Sequence, residues 1–240
     1  MTGGTRGLGA AIGRRFAADG AHVAAVYRGD DRAASTFREA ALAEGLSVSI
    51  HQADLSRPSA CREVVAAVAA AHGPVTHLVN NAGILRESRV LDVTEDDWDT
   101  VLDANLKSMF FLAQAVWAGM VEASFGRIVN IGSVTATSGN PVQSVYGASK
   151  GGVIGLTRSL AMAGARKGIT VNCVVPGAYA TDMTASMSPT AQATIAGLIP
   201  VGRLGRPEEL AHVVTSLLHE EAAYVTGAVI QADGGLGMGE

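Results

Sequence analysis

Tyr146-Gly147-Ala148-Ser149-Lys150 places a phenol and an ammonium four residues apart. On a helix that spacing puts both side chains on one face, one turn from each other. A free tyrosine near pKa 10 is a poor acid or base at neutral pH. An adjacent cation favours the phenolate and brings that pKa toward the working range, as a proton donor to a ketone oxygen, or an acceptor from an alcohol, requires. Ser133 stands just past the apolar run Arg127 to Ile131, where its hydroxyl could hold a carbonyl oxygen. A lone Tyr-x-x-x-Lys is frequent by chance, so its meaning depends on its surroundings.

The densest glycine cluster, Thr2-Gly3-Gly4-Thr5-Arg6-Gly7-Leu8-Gly9, opens a helical pattern. Such glycines permit a tight turn, close backbone approach to a phosphate and close helix packing. The free N–H groups and positive dipole end of the helix start make an anion site. Alone the turn is weak, but a strand and a second helix follow within about 30 residues, as a βαβ dinucleotide unit demands. The following strand ends Val26-Tyr27-Arg28, with Tyr27 where NAD-binding proteins place an acid for the ribose hydroxyls. Arg28 and Arg6 read either as two guanidiniums flanking a 2′-phosphate, which favours NADP(H), or as solvated surface arginines. Asp54-Leu55 follows the next strand. There a carboxylate can accept from an adenine amino group or act as a helix cap, with Ser56 as rival for the second role.

The elements that must position these residues follow from hydrophobic period. Strands are expected at 22–27, 47–52, 77–79, 127–131, 170–175 and 229–231, and helices at 8–19, 31–44, 58–72, 97–123, 146–167 and 207–219. Thr94 with Asp97 resembles a capping box, and Pro207 followed by two glutamates suits a first turn. The alternation predicts one α/β domain over 1–240, a doubly wound parallel sheet of Rossmann type. Residues 181–206 fit neither period and are expected to form a substrate lid of one or two short helices. In such a sheet a central strand leads into the glycine loop. The expectation is therefore that a first strand of roughly 5 to 6 residues is missing or truncated, with Met1 standing where its last residue belongs.

Composition bounds the function. The 240 residues carry 18 Lys plus Arg against 22 Asp plus Glu, a net charge of −4 that leaves no nucleic-acid footprint. Hydrophobic residues at 48% and charged residues at 17% exclude disorder. No apolar stretch approaches the roughly 18 residues needed to span a bilayer, so no membrane role and a cytoplasmic setting are expected. Cys61 and Cys173 lack metal-type spacing and read as buried free thiols. The histidines at 22, 51, 72, 77, 212 and 219 read as structural or solvated, with no metal site.

Together these motifs resemble the short-chain dehydrogenase/reductases. Thr2 to Gly9, Asn80-Asn81-Ala82-Gly83, Asn105, Ser133, Tyr146 with Lys150, and Pro176-Gly177 share that family's order and spacing across essentially the entire chain. The resemblance implies a tetrad of Asn105, Ser133, Tyr146 and Lys150. Tyr146 would be the general acid and Ser133 would polarise the carbonyl. Lys150 would hold the nicotinamide ribose and tune the tyrosine, and Asn105 would position a water in a proton relay. It also implies a cofactor site of Gly3, Thr5, Arg6, Gly7, Leu8, Gly9, Arg28, Asp54, Leu55, Asn81, Ala82, Gly83, Pro176, Gly177, Tyr179 and Thr181, with Tyr146 and Lys150.

Within the family the chain is most similar to the β-ketoacyl-ACP reductases and acetoacetyl-CoA reductases. Ile84 and Arg86 after the glycine, Thr181-Asp182-Met183-Thr184, Gly202-Arg203-Leu204-Gly205 and Asp233-Gly234-Gly235 carry this likeness. The implied reaction is NADPH-dependent reduction of a 3-oxoacyl thioester on ACP or CoA. An NAD(P)-dependent alcohol or polyol dehydrogenase, or a non-catalytic nucleotide-binding regulator, are the alternatives. Relatives that serve an acyl carrier protein tend to have two basic sites at the pocket mouth. Here Ser124 stands at the first and Lys167, beside Arg166, at the second. The resemblance further implies a homotetramer, and Phe110, Phe111, Trp117 and Leu156 give the long helices apolar residues on more than one face.

Overall fold

The computed structural model describes residues 1–238, so the last two residues of the expected domain lie outside the described residues. Six strands stand where the sequence places them: β1 (Val23–Tyr27), β2 (Val48–Gln52), β3 (His77–Asn80), β4 (Gly126–Ile131), β5 (Ile169–Pro176) and β6 (Val229–Ala232). All pairings are parallel, β1 with β2 and β3 through β6 in sequence order. At the position expected for a first strand, the described chain has Met1 and Thr2. The Thr2 N–H donates to the Val79 carbonyl at 3.0 Å, and the Val26 N–H donates to the Met1 carbonyl at 2.8 Å. These two residues join the two sheets through an isolated bridge between Thr2 and Val26.

Helices cover both faces: α1 (Gly7–Ala18), α2 (Asp31–Ala43), α3 (Pro58–His72), α4 (Glu95–Leu102), α5 (Ser108–Glu122), α6 (Thr135–Ser138), α7 (Ser144–Gly164), α8 (Asp182–Ala185), α9 (Pro189–Leu198) and α10 (Pro207–Ser216). Side chains alternate across a strand. Val79, Val129, Ile131 and Val174 therefore meet Ile12 of α1 and Leu210 and Val214 of α10. Leu78, Ile128 and Val171 meet Val64 of α3, Leu112 and Val116 of α5 and Ala161 of α7. Phe37 and Ala41 of α2 pack on Val23, Ala25 and Val48. Both faces of β4 and β5 are buried along their whole length, which is why these strands read as runs with no polar alternation.

The helix expected at 97–123 is two helices. Between α4 and α5 the segment Asp103–Lys107 takes a π turn, a local widening that carries Asn105 and that a 3.6-residue period does not reveal. The capping box is present: the Asp97 N–H donates to Thr94 Oγ1 at 3.1 Å and the Thr94 N–H to Asp97 Oδ2 at 3.2 Å. Within 181–206 lie α8 and α9, closed at the base by a bridge between Tyr179 and Gly205. The thiols of Cys61 and Cys173 are free and buried.

At the N-terminal ends of the central strands Arg127 is 3% exposed. Its guanidinium donates to the carbonyls of Gly126 at 3.0 Å, Gly168 at 3.2 Å, His219 at 3.3 Å and Glu220 at 3.5 Å. Burial lowers its pKa, opposed by the charge of Glu220.

Candidate functional site

Gly3 and Gly7 take φ of +58° and +52°, the left-handed region where glycine alone is unstrained. A Cβ on Gly9 would overlap the Gly3 carbonyl oxygen, and one on Gly3 would stand 2.9 Å from Asn81 Nδ2. The turn is tied to the segment after β3. Asn81 Nδ2 donates to the Thr2 and Gly3 carbonyls at 3.1 and 3.2 Å, while Thr2 Oγ1 accepts from the Asn81 and Ala82 N–H groups, both at 2.9 Å. Arg6 stands at the N-cap of α1 with no side-chain cap bond, and the first turn holds no acid. Its backbone N–H groups and positive dipole end thus have no side-chain partner, as a phosphate cradle requires. Thr5 is buried, and a Cβ on Gly7 would lie 3.9 Å from Thr181 Cγ2, so the turn and the start of α8 face each other. These features fit a dinucleotide.

The adenosine end is less complete than the sequence suggests. Arg6 pairs with Asp30 at 3.7 Å, across two exposed side chains. Arg28 is exposed and acts electrostatically on Asp54. The Asp54 carboxylate accepts from Ser56 Oγ at 2.8 Å and from the Ser56 N–H at 3.2 Å, and these bonds hold its pKa down. It thus forms a local turn, and neither Asp54 nor Ser56 is the N-cap of α3, which is Arg57. Leu55 packs into the core below the sheet, leaving only its backbone for a ligand. Tyr179 departs from the expectation too. It is buried and its hydroxyl donates to the Ala232 carbonyl at 2.7 Å, so it anchors β6 rather than facing the turn. Gly177 is needed for close packing, since its Cβ would meet Asp233 at 2.8 Å. Pro176 accepts from the Val134 N–H at 3.0 Å, linking the end of β5 to the segment after β4.

The four residues of the expected tetrad converge at the carboxyl ends of the strands. Tyr146 sits in the first turn of α7, near enough to Ser133, which follows β4, for the serine hydroxyl to lower the phenol's pKa. Lys150, one turn on, donates to the Ile131 carbonyl at 2.8 Å with Nζ 5.7 Å from the Tyr146 ring centroid. A Cβ on Gly83 would lie 3.2 Å from Asn105 Oδ1 and 3.6 Å from Lys150 Nζ, so the glycine of the Asn-Asn-Ala-Gly run makes room for both.

One detail differs from the sequence expectation. Burial pushes the Tyr146 pKa up, with the Ser133 hydrogen bond opposing, whereas an adjacent lysine was expected to lower it. The physical reason is that the ammonium is directed at a carbonyl, and burial lowers its own pKa to about 8. Asn105 is wholly buried and committed: Oδ1 accepts from the Ile84 N–H at 2.8 Å, and Nδ2 donates to the Ile84 carbonyl at 2.9 Å and to Ser149 Oγ at 3.2 Å. Its amide thus pins the backbone after Gly83.

Sequence reasoning missed three neighbours. Arg32 lines a groove between α1 and α2 with Thr5 and Asp30. Gln143 and Glu87 join the segment before α7 to the loop after β3. The only signal in the sequence is that Gln143 precedes Tyr146 by about one helical turn. Among the described residues no three His, Cys, Asp or Glu side chains form a group that could hold a metal ion.

Residues 3–237 match the family model described as enoyl-(acyl carrier protein) reductase. The chain is 42% identical to an acetoacetyl-CoA reductase of Shinella zoogloeoides, covering 98% of this chain and 96% of that one. The chain belongs to the short-chain dehydrogenase/reductase family. Another member, a 3-oxoacyl-[acyl-carrier-protein] reductase of Escherichia coli K12, is 39% identical over 99% of this chain and 96% of its own. Among solved structures, a single-substitution variant of the actinorhodin polyketide ketoreductase with NADPH superposes with a TM-score of 0.94 at 34% identity, covering 99% of this chain and 95% of that chain. The short-chain dehydrogenase/reductase fold is thus shared over essentially the full length of all three.

Proposed function

We propose that this protein reduces the ketone of a 3-oxoacyl thioester to the 3-hydroxyacyl thioester, with NADP(H) as its cofactor. The observation that carries the reading is the Ser133, Tyr146 and Lys150 cluster standing beside the glycine turn. When bound, the cofactor supplies the hydride. Gly3, Gly7, Gly9 and the start of α1 would hold its pyrophosphate, Arg6 and Arg28 its 2′-phosphate, and Lys150 and Thr181 its nicotinamide end.

The residues of the chain then do the proton chemistry. Because burial raises its pKa, the Tyr146 phenol is protonated at neutral pH, the state a general acid needs in the reducing direction. Its proton goes to the carbonyl oxygen while the Ser133 hydroxyl holds the same oxygen. The phenolate left behind is stabilised by the Ser133 hydroxyl, the one group that favours its charged form. Asn105 keeps Ile84 and Gly83 in place below the reacting centre.

The segment 181–206 would act as the lid over the substrate. Ser124 and Lys167, implied at the pocket mouth, instead precede β4 and β5 at the amino ends of the strands, away from Ser133 and Tyr146 of the same chain, because each stands in the connection that leads into its strand; Lys167 lies over the Trp117 ring at 5.9 Å. Two buried free thiols suit the reducing cytosol, where we place the enzyme. Steady-state turnover at 340 nm with acetoacetyl-CoA, an acetoacetyl carrier protein and a free β-keto ester tests the reading. NADPH-dependent reduction of a thioester is expected; turnover confined to simple alcohols with NAD would overturn it.

A further inference from the structure

A chain of hydrogen bonds runs from the protein surface to Ser133 through residues outside the tetrad. Glu87, exposed on the loop after β3, accepts from Gln143 Nε2 at 2.8 Å. Gln143 Oε1 accepts from Thr135 Oγ1 at 3.2 Å. The Thr135 N–H in turn donates to Ser133 Oγ at 3.2 Å. Two backbone bonds brace the same region: the Ser88 N–H donates to the Val142 carbonyl at 2.8 Å, and the Gly147 N–H to the Gln143 carbonyl at 2.7 Å. Gln143 therefore touches all three segments that meet at the site, namely the loop after β3, the short helix α6 after Ser133, and the start of α7 with Tyr146.

The polarity of this chain is not free. A carboxylate only accepts, so the amide end facing Glu87 is the NH2 group and the end facing Thr135 is the carbonyl oxygen. The Thr135 hydroxyl must then donate to Gln143, which fixes its rotamer and seats the residue at the start of α6. With the Thr135 N–H on one lone pair of Ser133 Oγ, the single Ser133 hydrogen is left to donate toward the Tyr146 oxygen, or toward a substrate oxygen when one is bound beside it. Ser133 donating to Tyr146 is also the direction in which that bond lowers the phenol pKa.

We propose that Gln143, oriented by Glu87, is a positioning residue that sets the direction of the Ser133 hydroxyl and so the acidity of the Tyr146 pair. The inference rests on the reading that Ser133 and Tyr146 carry the proton transfer. Neither Glu87 nor Gln143 touches the reacting atoms; they act through Thr135.

The test compares Gln143→Leu, Glu87→Ala and Glu87→Gln with the parent enzyme, alongside Ser133→Ala and Tyr146→Phe. Gln143→Leu is expected to lower kcat about tenfold, the cost of one misdirected hydrogen bond. NADPH affinity by fluorescence titration and Tm should stay at the parent values. Its pH–rate limb should move to higher pH, because Tyr146 loses the Ser133 donor. Glu87→Ala should fall in the same direction by a smaller factor, and Glu87→Gln, which keeps an acceptor, should recover most of it. Unchanged kcat and an unmoved pH limb in Gln143→Leu would overturn the proposal. So would equal losses in Glu87→Ala and Glu87→Gln. If Gln143→Leu lowers Tm, the exposed Glu87 pair decides alone. Full activity in Ser133→Ala or Tyr146→Phe would instead remove the catalytic reading itself, and this proposal with it.

Discussion

The site depends on two buried groups whose pKa values are moved in opposite directions. Burial raises Tyr146 and lowers Lys150 to about 8, so each is pushed toward its neutral form. A phenol that keeps its proton suits reduction, and removing it should leave the rest of the site standing. Tyr146→Phe is expected to cost roughly 10²–10⁴-fold in kcat, the usual worth of a positioned acid, while NADPH still quenches protein fluorescence at the parent concentration. Retained turnover would mean that another group supplies the proton. Gly9 makes a steric prediction of the opposite kind. Gly9→Ala must push against the Gly3 carbonyl, so stability should drop by about 1–3 kcal/mol in urea unfolding, and NADPH affinity should fall with it. Tyr146, Lys150 and Ser133 were legible from sequence because a helix and a strand end fix their relative places. Tyr179 and Leu55 were not, because the side of the backbone on which a side chain leaves depends on packing against β6 and α3. The direction of the Tyr146 shift was illegible for a related reason, since spacing does not say that Lys150 is held by the Ile131 carbonyl.

At the scale of elements, the six strands were readable because β4 and β5 are continuous apolar runs bounded by polar turns. The break between α4 and α5 was hidden, because Asp103 to Lys107 keep a helix-like composition while the backbone widens around Asn105. A second arrangement without a sequence signal lies beside β1 and β2. His22 stacks on His72 with ring centroids 3.8 Å apart, and His51 meets His72 edge-on at 6.3 Å. Ser49 Oγ bridges His22 and His51 at 3.1 and 2.9 Å. Burial first, and the nearness of His72 second, lower the pKa of both His22 and His51. Their folded state thus favours the neutral ring. The associated stability is complete above the unfolded value near 6.5 and is lost as pH falls below it, because the unfolded chain then binds more protons. Calorimetric Tm should decline from pH 7 to pH 5, and His72→Gln should flatten that decline. Parallel curves for the two proteins would rule the histidine contacts out as the cause.

For the whole molecule, some of the exposed apolar side chains fall on the two long helices and just before the last strand. Phe110 of α5 is 41% exposed and Met162 of α7 is 84% exposed, and Tyr224 precedes β6 fully in solvent. Light scattering should give the mass of four chains, and Met162→Glu should shift it toward smaller species by placing a charge in an apolar contact. A single-chain mass for the parent would refute the tetramer. The doubly wound sheet divides the labour between its ends, with the site at the carboxyl ends of the strands. Arg127 sits at the other end, and it imposes an order on synthesis. Two of its four carbonyl partners come from residues 126 and 168, and the other two from 219 and 220. A nascent chain released only as far as β5 carries a guanidinium half supplied with acceptors. Closure of that pole therefore waits until the stretch after α10 clears the ribosome, after every residue of the tetrad has emerged.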